Sequence, residues 1–160
     1  MSQMRDLFSG ITFVAIIGAG LMAGVFFAFS TFVMKGPSRL PANEGIAGMQ
    51  SINAAVVLSL FLAVFLATSA LCLAVVIFSA MRWGDTSAVL CGAGALIFLL
   101  GNFVVTMAFN VPLNNRLASI SPQDPASAAV WQNYLIHWAA WNHVRTISAL
   151  ASMVLLILGR

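Results

Sequence analysis

Four long stretches of the sequence carry almost no charged residues, and this feature constrains the fold more than any other. They cover about residues 7–34, 46–81, 87–110 and 138–158. Each is long enough to cross the hydrocarbon core of a bilayer, which takes about 20 residues of helix. Charged residues make up 7% of the chain, whereas soluble domains have about 25%. Because so few charges could not cover a water-soluble surface, the sequence predicts an integral membrane protein.

The order of the stretches predicts an all-α fold, a four-transmembrane-helix bundle with up-down topology. All 160 residues form a single integral membrane domain, since four spans and their loops use nearly the whole chain. The loop at 35–41 should break the first helix, and Pro112 should end or kink the third. A short interfacial helix is expected at 126–137, before the last span, with Trp131 and Tyr134 as anchors at headgroup level.

The cysteines and the basic residues form no recognisable binding pattern. Cys72 and Cys91 lie in separate apolar stretches without metal-ligand spacing, and we expect free, buried thiols. The seven basic residues are scattered along the chain rather than clustered. A scattered set cannot follow a phosphate backbone, so we expect no nucleic acid partner despite the net charge of +3.

Polar side chains gather at one end of the predicted bundle, where the up-down topology brings the ends of all four spans together. They are Ser30, Asn53, Asn102, Thr106, Asn110, Asn114, Asn142, His143, Arg145 and Thr146. The four from the third span recur every four residues and therefore form one stripe. Polar groups at membrane depth tend to face the protein interior. The sequence thus predicts a polar pocket with aromatic walls, although Asn102 and Thr106 could equally serve as hydrogen-bonded links between helices.

Arg145 is the most informative of these residues, because a charge inside a span requires partners. No span has an acidic residue at its centre, so the amide oxygens of Asn53, Asn102 or Asn110 are its expected acceptors. An intramembrane charge favours a functional anion site over a purely structural role.

His143 allows three interpretations. On an ideal helix it points about 160° away from Arg145, which favours a structural histidine bonded to a neighbouring helix. A general base is the second interpretation, because histidine titrates near neutral pH. A haem or copper ligand is the third, although no second ligand accompanies it.

Four strings carry a resemblance to a known family. They are GVFFAFS at 24–30, MQSIN at 49–53, NVPLN at 110–114 and WAAWNHVRT at 138–146. Together they resemble the DUF1772, or anthrone oxygenase-like, family of small four-helix membrane proteins. The resemblance implies an enzyme of the bacterial inner (cytoplasmic) membrane that oxidises a flat, apolar polyphenolic substrate with O2 and needs no cofactor.

The resemblance also implies roles for the polar cluster. Arg145, Asn142 and Asn110 would stabilise an oxyanion, and His143 would be the base. Trp138, Trp141 and Phe27 would stack on the substrate, which Ser30, Asn53, Asn102, Thr106 and Asn114 would also contact. The expected partners are an apolar aromatic molecule, O2 and membrane lipid.

Two alternatives to an oxygenase remain open. The same pocket could bind a quinone, a lipid or an aromatic molecule without reaction. The chain could also be a structural subunit of a larger membrane complex. Gly20, Gly24 and Ala28 form a small-residue row that could pack inside the bundle, seat a partner or form a homo-oligomer seam.

Overall fold

The computed structural model describes residues 2–160 and confirms the all-α fold. Among the described residues, four helical segments are long and apolar enough to cross a membrane: Asp6–Ser38, Leu60–Ala80, Thr86–Ala118 and Ser127–Gly159. The protein is therefore a multi-pass integral membrane protein, as predicted.

The first span is longer than predicted. Helix α1 (Ser2–Ala28) continues through a π-helical turn (Phe29–Val33) into the short helix α2 (Lys35–Ser38). The loop predicted at 35–41 is therefore wrong in its first half. Pro37 lies in the first turn of α2, where a missing N–H group is tolerated.

The second span predicted at 46–81 is in fact two helices, α3 (Ala42–Val57) and α4 (Leu60–Ala80). Ser59 separates them through two local hydrogen bonds. Its Oγ donates to the Val56 carbonyl oxygen at 2.8 Å and accepts from the Leu62 amide at 3.4 Å. A serine that bonds to the backbone in this way ends one helix and caps the next.

The third span continues past the end predicted at Asn110. It consists of α5 (Thr86–Phe98), two π-helical segments (Leu99–Val104 and Thr106–Asn110) and α6 (Val111–Ala118). Pro112 neither ends nor breaks it. The wider π turns that precede the proline allow the chain to remain helical around its missing N–H group.

The last span, α7, is one helix from Ser127 to Gly159. The interfacial helix predicted at 126–137 is thus the first part of this span and not a separate element. Trp131, Tyr134 and Trp138 are all buried, and their spacing of three and four residues extends one inward face along α7. Trp131 and Tyr134 are therefore core residues, and the prediction that they anchor the chain at the headgroups is wrong.

Two apolar cores stabilise the bundle. The larger core joins α1, α4, α5 and α7, and it contains Cys72 and Cys91 as free, buried thiols, as predicted. The smaller core lies at the opposite end from the chain termini. It joins α3, α6 and the start of α7 around Met49, Leu117 and Trp131. The small core caps the bundle at the end where the polar residues gather.

Within the predicted row, a Cβ atom at Gly20 would lie 3.2 Å from the Sδ atom of Met153, but a closer helix contact lies outside the row at Gly101. A Cβ atom at Gly101 would lie 2.3 Å from the Cβ of Ser148, so the third span and α7 approach each other there. Gly24, by contrast, is exposed and has nothing within 4 Å of an added Cβ. The row Gly20–Gly24–Ala28 is therefore not a continuous packing seam within the bundle.

We predict that Gly101→Ala lowers the stability of the folded bundle by about 1–3 kcal/mol, the usual cost of overpacking. Gly24→Ala is the matched control, and we expect unchanged or slightly higher stability because alanine is the better helix former. Thermal unfolding in mild detergent, followed by circular dichroism, measures both. Equal melting temperatures for the two variants would contradict the helix contact at Gly101.

Candidate functional site

A cavity of about 480 Å³ lies beneath α3, between α4, the third span and α7. Its volume falls within the range of small-molecule sites, about 300–1,000 Å³. It lies at the end of the bundle where the sequence predicts the polar pocket. Seven of the predicted site residues line it: Asn53, Thr106, Asn110, Asn114, Trp138, Asn142 and Arg145.

Asn142 is fixed by hydrogen bonds to the first span. Its Nδ2 group donates to the carbonyl oxygen of Phe26 and to the hydroxyl of Ser30, both at 2.8 Å. Because a carbonyl oxygen can only accept, the amide nitrogen must face Phe26. The Asn142 Oδ1 atom is thereby directed at Arg145, whose Nη2 group donates to it at 2.7 Å.

The Ser30 hydroxyl holds this arrangement together. Thr146 donates its only hydroxyl proton to the Asn142 carbonyl oxygen at 2.9 Å. The 2.9 Å hydrogen bond between Ser30 and Thr146 must therefore be donated by Ser30. Ser30 accepts from Asn142 and donates to Thr146, so it supports the site from behind the cavity and does not line it.

The guanidinium group of Arg145 lies between two aromatic rings. Its Cζ atom is 4.4 Å from the ring centroid of Phe26 and 5.1 Å from that of Trp138. These distances allow cation–π attraction, which partly offsets the loss of hydration. The side chain is buried, and its second hydrogen bond runs from Nη1 to the Thr106 hydroxyl at 3.3 Å.

The acceptors predicted for Arg145, on Asn53, Asn102 and Asn110, are wrong. Asn142 takes this role because it lies three residues earlier on the same helix and hence on the same face. Asn110 instead turns its Nδ2 group towards the Trp138 carbonyl oxygen, 3.4 Å away.

Arg145 is a cation without a counter-ion. It is the only side chain with a full charge among the described lining residues, and none of these is acidic. A guanidinium group has five N–H donors, and only two of them have protein partners here. The remaining donors and the positive charge suit an oxygen atom that carries negative charge.

Three buried polar atoms on cavity-lining residues have no protein partner. They are the Oδ1 atom of Asn110, the Nε1 atom of Trp138 and the Nε atom of Arg145. Unpartnered polar atoms are rare in folded proteins and call for a bound molecule or water. They comprise two donors and one acceptor.

The far end of the cavity holds a second polar group. The Tyr134 hydroxyl donates to Asn114 Oδ1 at 2.9 Å and accepts from Asn53 Nδ2 at 3.4 Å. Gln50 donates to the carbonyl oxygens of Leu117 and Ile120, which ties α3 to α6. A molecule in the cavity would meet amide groups at this end and the cation at the other.

Aromatic side chains form the wall between the two polar ends. Phe26, Phe29, Phe61, Phe65 and Trp138 line the cavity. Phe61 and Phe65 are stacked, with ring centroids 6.3 Å apart. Such a wall suits a flat, apolar molecule.

Besides Ser30, four predicted site residues lie outside the cavity. Phe27 and His143 are exposed on the outer surface of the bundle. Each lies one or two positions along its helix from an inward-facing residue, and that step turns its side chain away from the cavity. Trp141 stacks on Phe109 with ring centroids 3.7 Å apart. Asn102 is fully buried outside the cavity, and its side chain has no partner.

Sequence reasoning missed several lining residues, above all Phe26 and Phe65. The buried positions of α1 include Ala19, Met22, Ala23 and Phe26, whose spacing places Phe26 and not Phe27 on the inward face. This inward face is known only from the structure, so the sequence alone did not separate Phe26 from Phe27. Phe65 has no sequence signal either, because α4 is apolar on every side.

The described residues contain no group of three histidine, cysteine or acidic side chains that could hold a metal ion. His143, the predicted haem or copper ligand candidate, faces outwards and away from the cavity. The candidate site therefore depends on one cation, amide groups and aromatic rings.

The fold and this cavity define a small multi-pass helical membrane protein with a buried, aromatic-walled site around a single cation. The sequence profile of the anthrone oxygenase family matches residues 55–155, and the chain belongs to that family. The matched region includes Asn110, Asn142 and Arg145. Comparisons with curated proteins and with solved structures gave no match.

We predict that Arg145→Met does not lower the stability of the folded protein. A buried cation without a counter-ion costs several kcal/mol of desolvation, and methionine fills similar space without that cost. Thermal unfolding in detergent, with no ligand present, measures the effect. A loss of more than about 2 kcal/mol would show that Arg145 is a structural residue, since removal of a needed buried partner costs at least that much.

Proposed function

We propose that this protein is a cofactor-independent oxygenase that converts a flat, membrane-soluble phenolic ketone of the anthrone type into a quinone with O2. The observation that supports this function is the Arg145 guanidinium group, which lies without a counter-ion at the end of an aromatic-walled cavity. Membership of the anthrone oxygenase family supports the same reaction class.

The reaction needs an anion, and the site suits one. Loss of a proton from the central CH2 group of an anthrone gives an enolate whose negative charge lies largely on the ketone oxygen. Arg145 would hold that oxygen at a buried position, where electrostatic stabilisation is strong. The Asn142 amide would keep the guanidinium group in place, because its own orientation is fixed by Phe26 and Ser30.

The electrons then pass from the enolate to oxygen. One electron reduces O2 to superoxide, and the two radicals combine to form a C–O bond at the former CH2 carbon. The peroxide anion takes up a proton, which balances the one lost at the start. Loss of water from the hydroperoxide breaks the O–O bond and leaves the quinone. Anthrone and O2 thus yield anthraquinone and one molecule of water.

The structure favours electrostatic activation over a protein base. His143, predicted as the base, lies outside the cavity, and none of the described lining residues is a carboxylate or histidine. We therefore assign the increase in substrate acidity to the positive charge of Arg145 and the released proton to water. We further propose that the protein works in the bacterial cytoplasmic membrane, where an apolar substrate and O2 both concentrate.

We predict that Arg145→Gln lowers turnover by about 100- to 1,000-fold, the usual cost of losing one oxyanion-stabilising donor. Oxygen uptake with 1,8-dihydroxyanthrone, together with quinone absorbance, measures it in detergent-purified protein. His143→Ala is the control on the same helix, and we expect full activity because His143 is outside the cavity. The reverse result, with His143 essential and Arg145 dispensable, would overturn the mechanism.

Asn142→Asp places a negative charge beside Arg145 at nearly unchanged shape, and it also removes the hydrogen bond donated to the Phe26 carbonyl oxygen. A carboxylate beside the guanidinium group cancels the free positive charge, so we predict a loss of turnover close to that of Arg145→Gln. Ser30→Ala is the comparison, because it removes one hydrogen bond from Asn142 and leaves the charge. We expect it to cost about 1 kcal/mol, or roughly fivefold in rate. Full turnover by Asn142→Asp, measured by the same oxygen uptake, would show that the free charge is not needed.

Chelation tests the absence of a cofactor. We predict that dialysis of the purified protein against EDTA leaves oxygen uptake unchanged and that its visible spectrum contains no haem or flavin band. Loss of activity on dialysis, restored by one metal, would contradict cofactor-free oxidation. A parent protein that binds the quinone but consumes no O2 would instead indicate a non-catalytic binding protein.

A further inference from the structure

The residues that line the cavity differ sharply in their exposure. Phe26, Met49 and Phe65 are 1–3% exposed, so the inner part of the cavity is closed off. Leu66 and Met107 also line the cavity, yet they are 49% and 53% exposed. The cavity therefore reaches the outer surface of the bundle at Leu66 of α4 and Met107 of the third span.

The gap between α4 and the third span is closed towards the chain termini and open towards α3. Phe65 of α4 stacks on Phe103 of the third span, with ring centroids 6.2 Å apart. The Phe65–Phe103 pair closes the gap on the side of Met107 that faces the chain termini, and Leu66 directly follows Phe65 on α4. On the side towards α3, α4 begins at Leu60. Leu58 and Ser59 connect it to the preceding helix α3, which covers the cavity.

The side of the opening formed by α4 is apolar and lies at membrane depth, whereas the exposed lining residue Asn115 lies on α6, nearer the end of the third span. Val57 lines the cavity and is 61% exposed, and the neighbouring Leu58 and Leu60 are 98% and 79% exposed. Leu66 lies about 9 Å along α4 from Leu60 by the helical rise. Since α4 is long enough to span the hydrocarbon core once, Leu66 is inside that core. Leucine, valine and methionine side chains there face acyl chains and not water.

The geometry points to a lateral opening between α4 and the third span, through which a neutral polycyclic phenol reaches the cavity directly from the bilayer. This inference deepens the proposed function, on which its choice of ligand rests. A ligand that uses such a route must dissolve in the hydrocarbon core, so it crosses the rim uncharged. It becomes an anion only at Arg145. The protein thereby selects aromatic molecules without permanently charged substituents.

The test places a bulky side chain in the opening and measures how fast a ligand binds. The probe is 1,8-dihydroxyanthraquinone, which cannot be oxidised further by the proposed reaction and fluoresces. Purified protein is reconstituted in phosphatidylcholine vesicles, and the rates of association and dissociation are followed by stopped flow. The variants are Leu66→Trp and Met107→Trp. Leu73→Trp is the matched control, because Leu73 lies on the same helix, is 52% exposed and is not a lining residue.

We expect Leu66→Trp and Met107→Trp to slow association and dissociation alike by at least about tenfold, while the dissociation constant stays within about twofold of the parent value. A blocked route changes both rates equally, whereas damage to the site changes mainly the dissociation rate. Leu73→Trp should bind and release the quinone at parental rates. Parental rates in both rim variants, or equal slowing in the control, would overturn the lateral route.

A second measurement needs no variant. The lipid composition is varied at a fixed aqueous quinone concentration, so that only the mole fraction of quinone in the bilayer changes. The lateral route predicts association rates that follow this mole fraction, and rates that follow the aqueous quinone concentration would overturn it. Both experiments measure binding alone, so a parent protein that binds quinone but does not oxidise anthrone would refute the proposed function and still decide the route.

Discussion

Arg145 lies inside a membrane span beside two aromatic rings and without a carboxylate partner among the described residues. The arrangement around the cavity depends on this positive charge that no negative charge neutralises. An arginine at the centre of a span costs about 3 kcal/mol or more. Phe26 and Trp138 recover part of that cost through cation–π attraction. Asn142 accepts one hydrogen bond, and its own donors are fixed by the first span. What remains uncompensated is a positive charge that faces the cavity, and this is what a transient anion can use.

The smaller core, with α3 over the cavity, limits which molecules can reach Arg145. Ser59 divides the second segment into two helices, and α3 is thereby free to fold over the cavity. Trp131 and Tyr134 extend the inward face of α7 beyond the four-helix core and hold α3 in place. The Phe65–Phe103 pair closes the gap beneath the cavity. Together these contacts leave the cation in a buried site whose opening is apolar on the α4 side.

The sequence predicted features that follow from composition and spacing, and it failed where a local contact decides the outcome. Low charge and apolar length predicted four spans, and the polar stripe of the third span predicted the cavity at the correct end. The hydrogen bonds of Ser59 and the π turns before Pro112 are local adjustments that hydropathy does not contain. Arg145 was found because a charge in a span is unusual, but its acceptors were wrong because they depend on how Asn142 contacts the first span. Phe27 was chosen over Phe26 because neighbouring phenylalanines look alike until the inward face of α1 is fixed.

The proposed function requires Arg145 to stabilise the anionic form of a phenolic ligand inside the cavity. The most direct test is the absorption spectrum of 1,8-dihydroxyanthraquinone bound to the protein in vesicles, recorded across a range of pH. We predict that the phenolate band appears at pH values at which the same compound in empty vesicles stays neutral, and that Arg145→Met abolishes this difference while the ligand remains bound. A bound ligand that ionises at the same pH as in empty vesicles, with or without the arginine, would contradict the account.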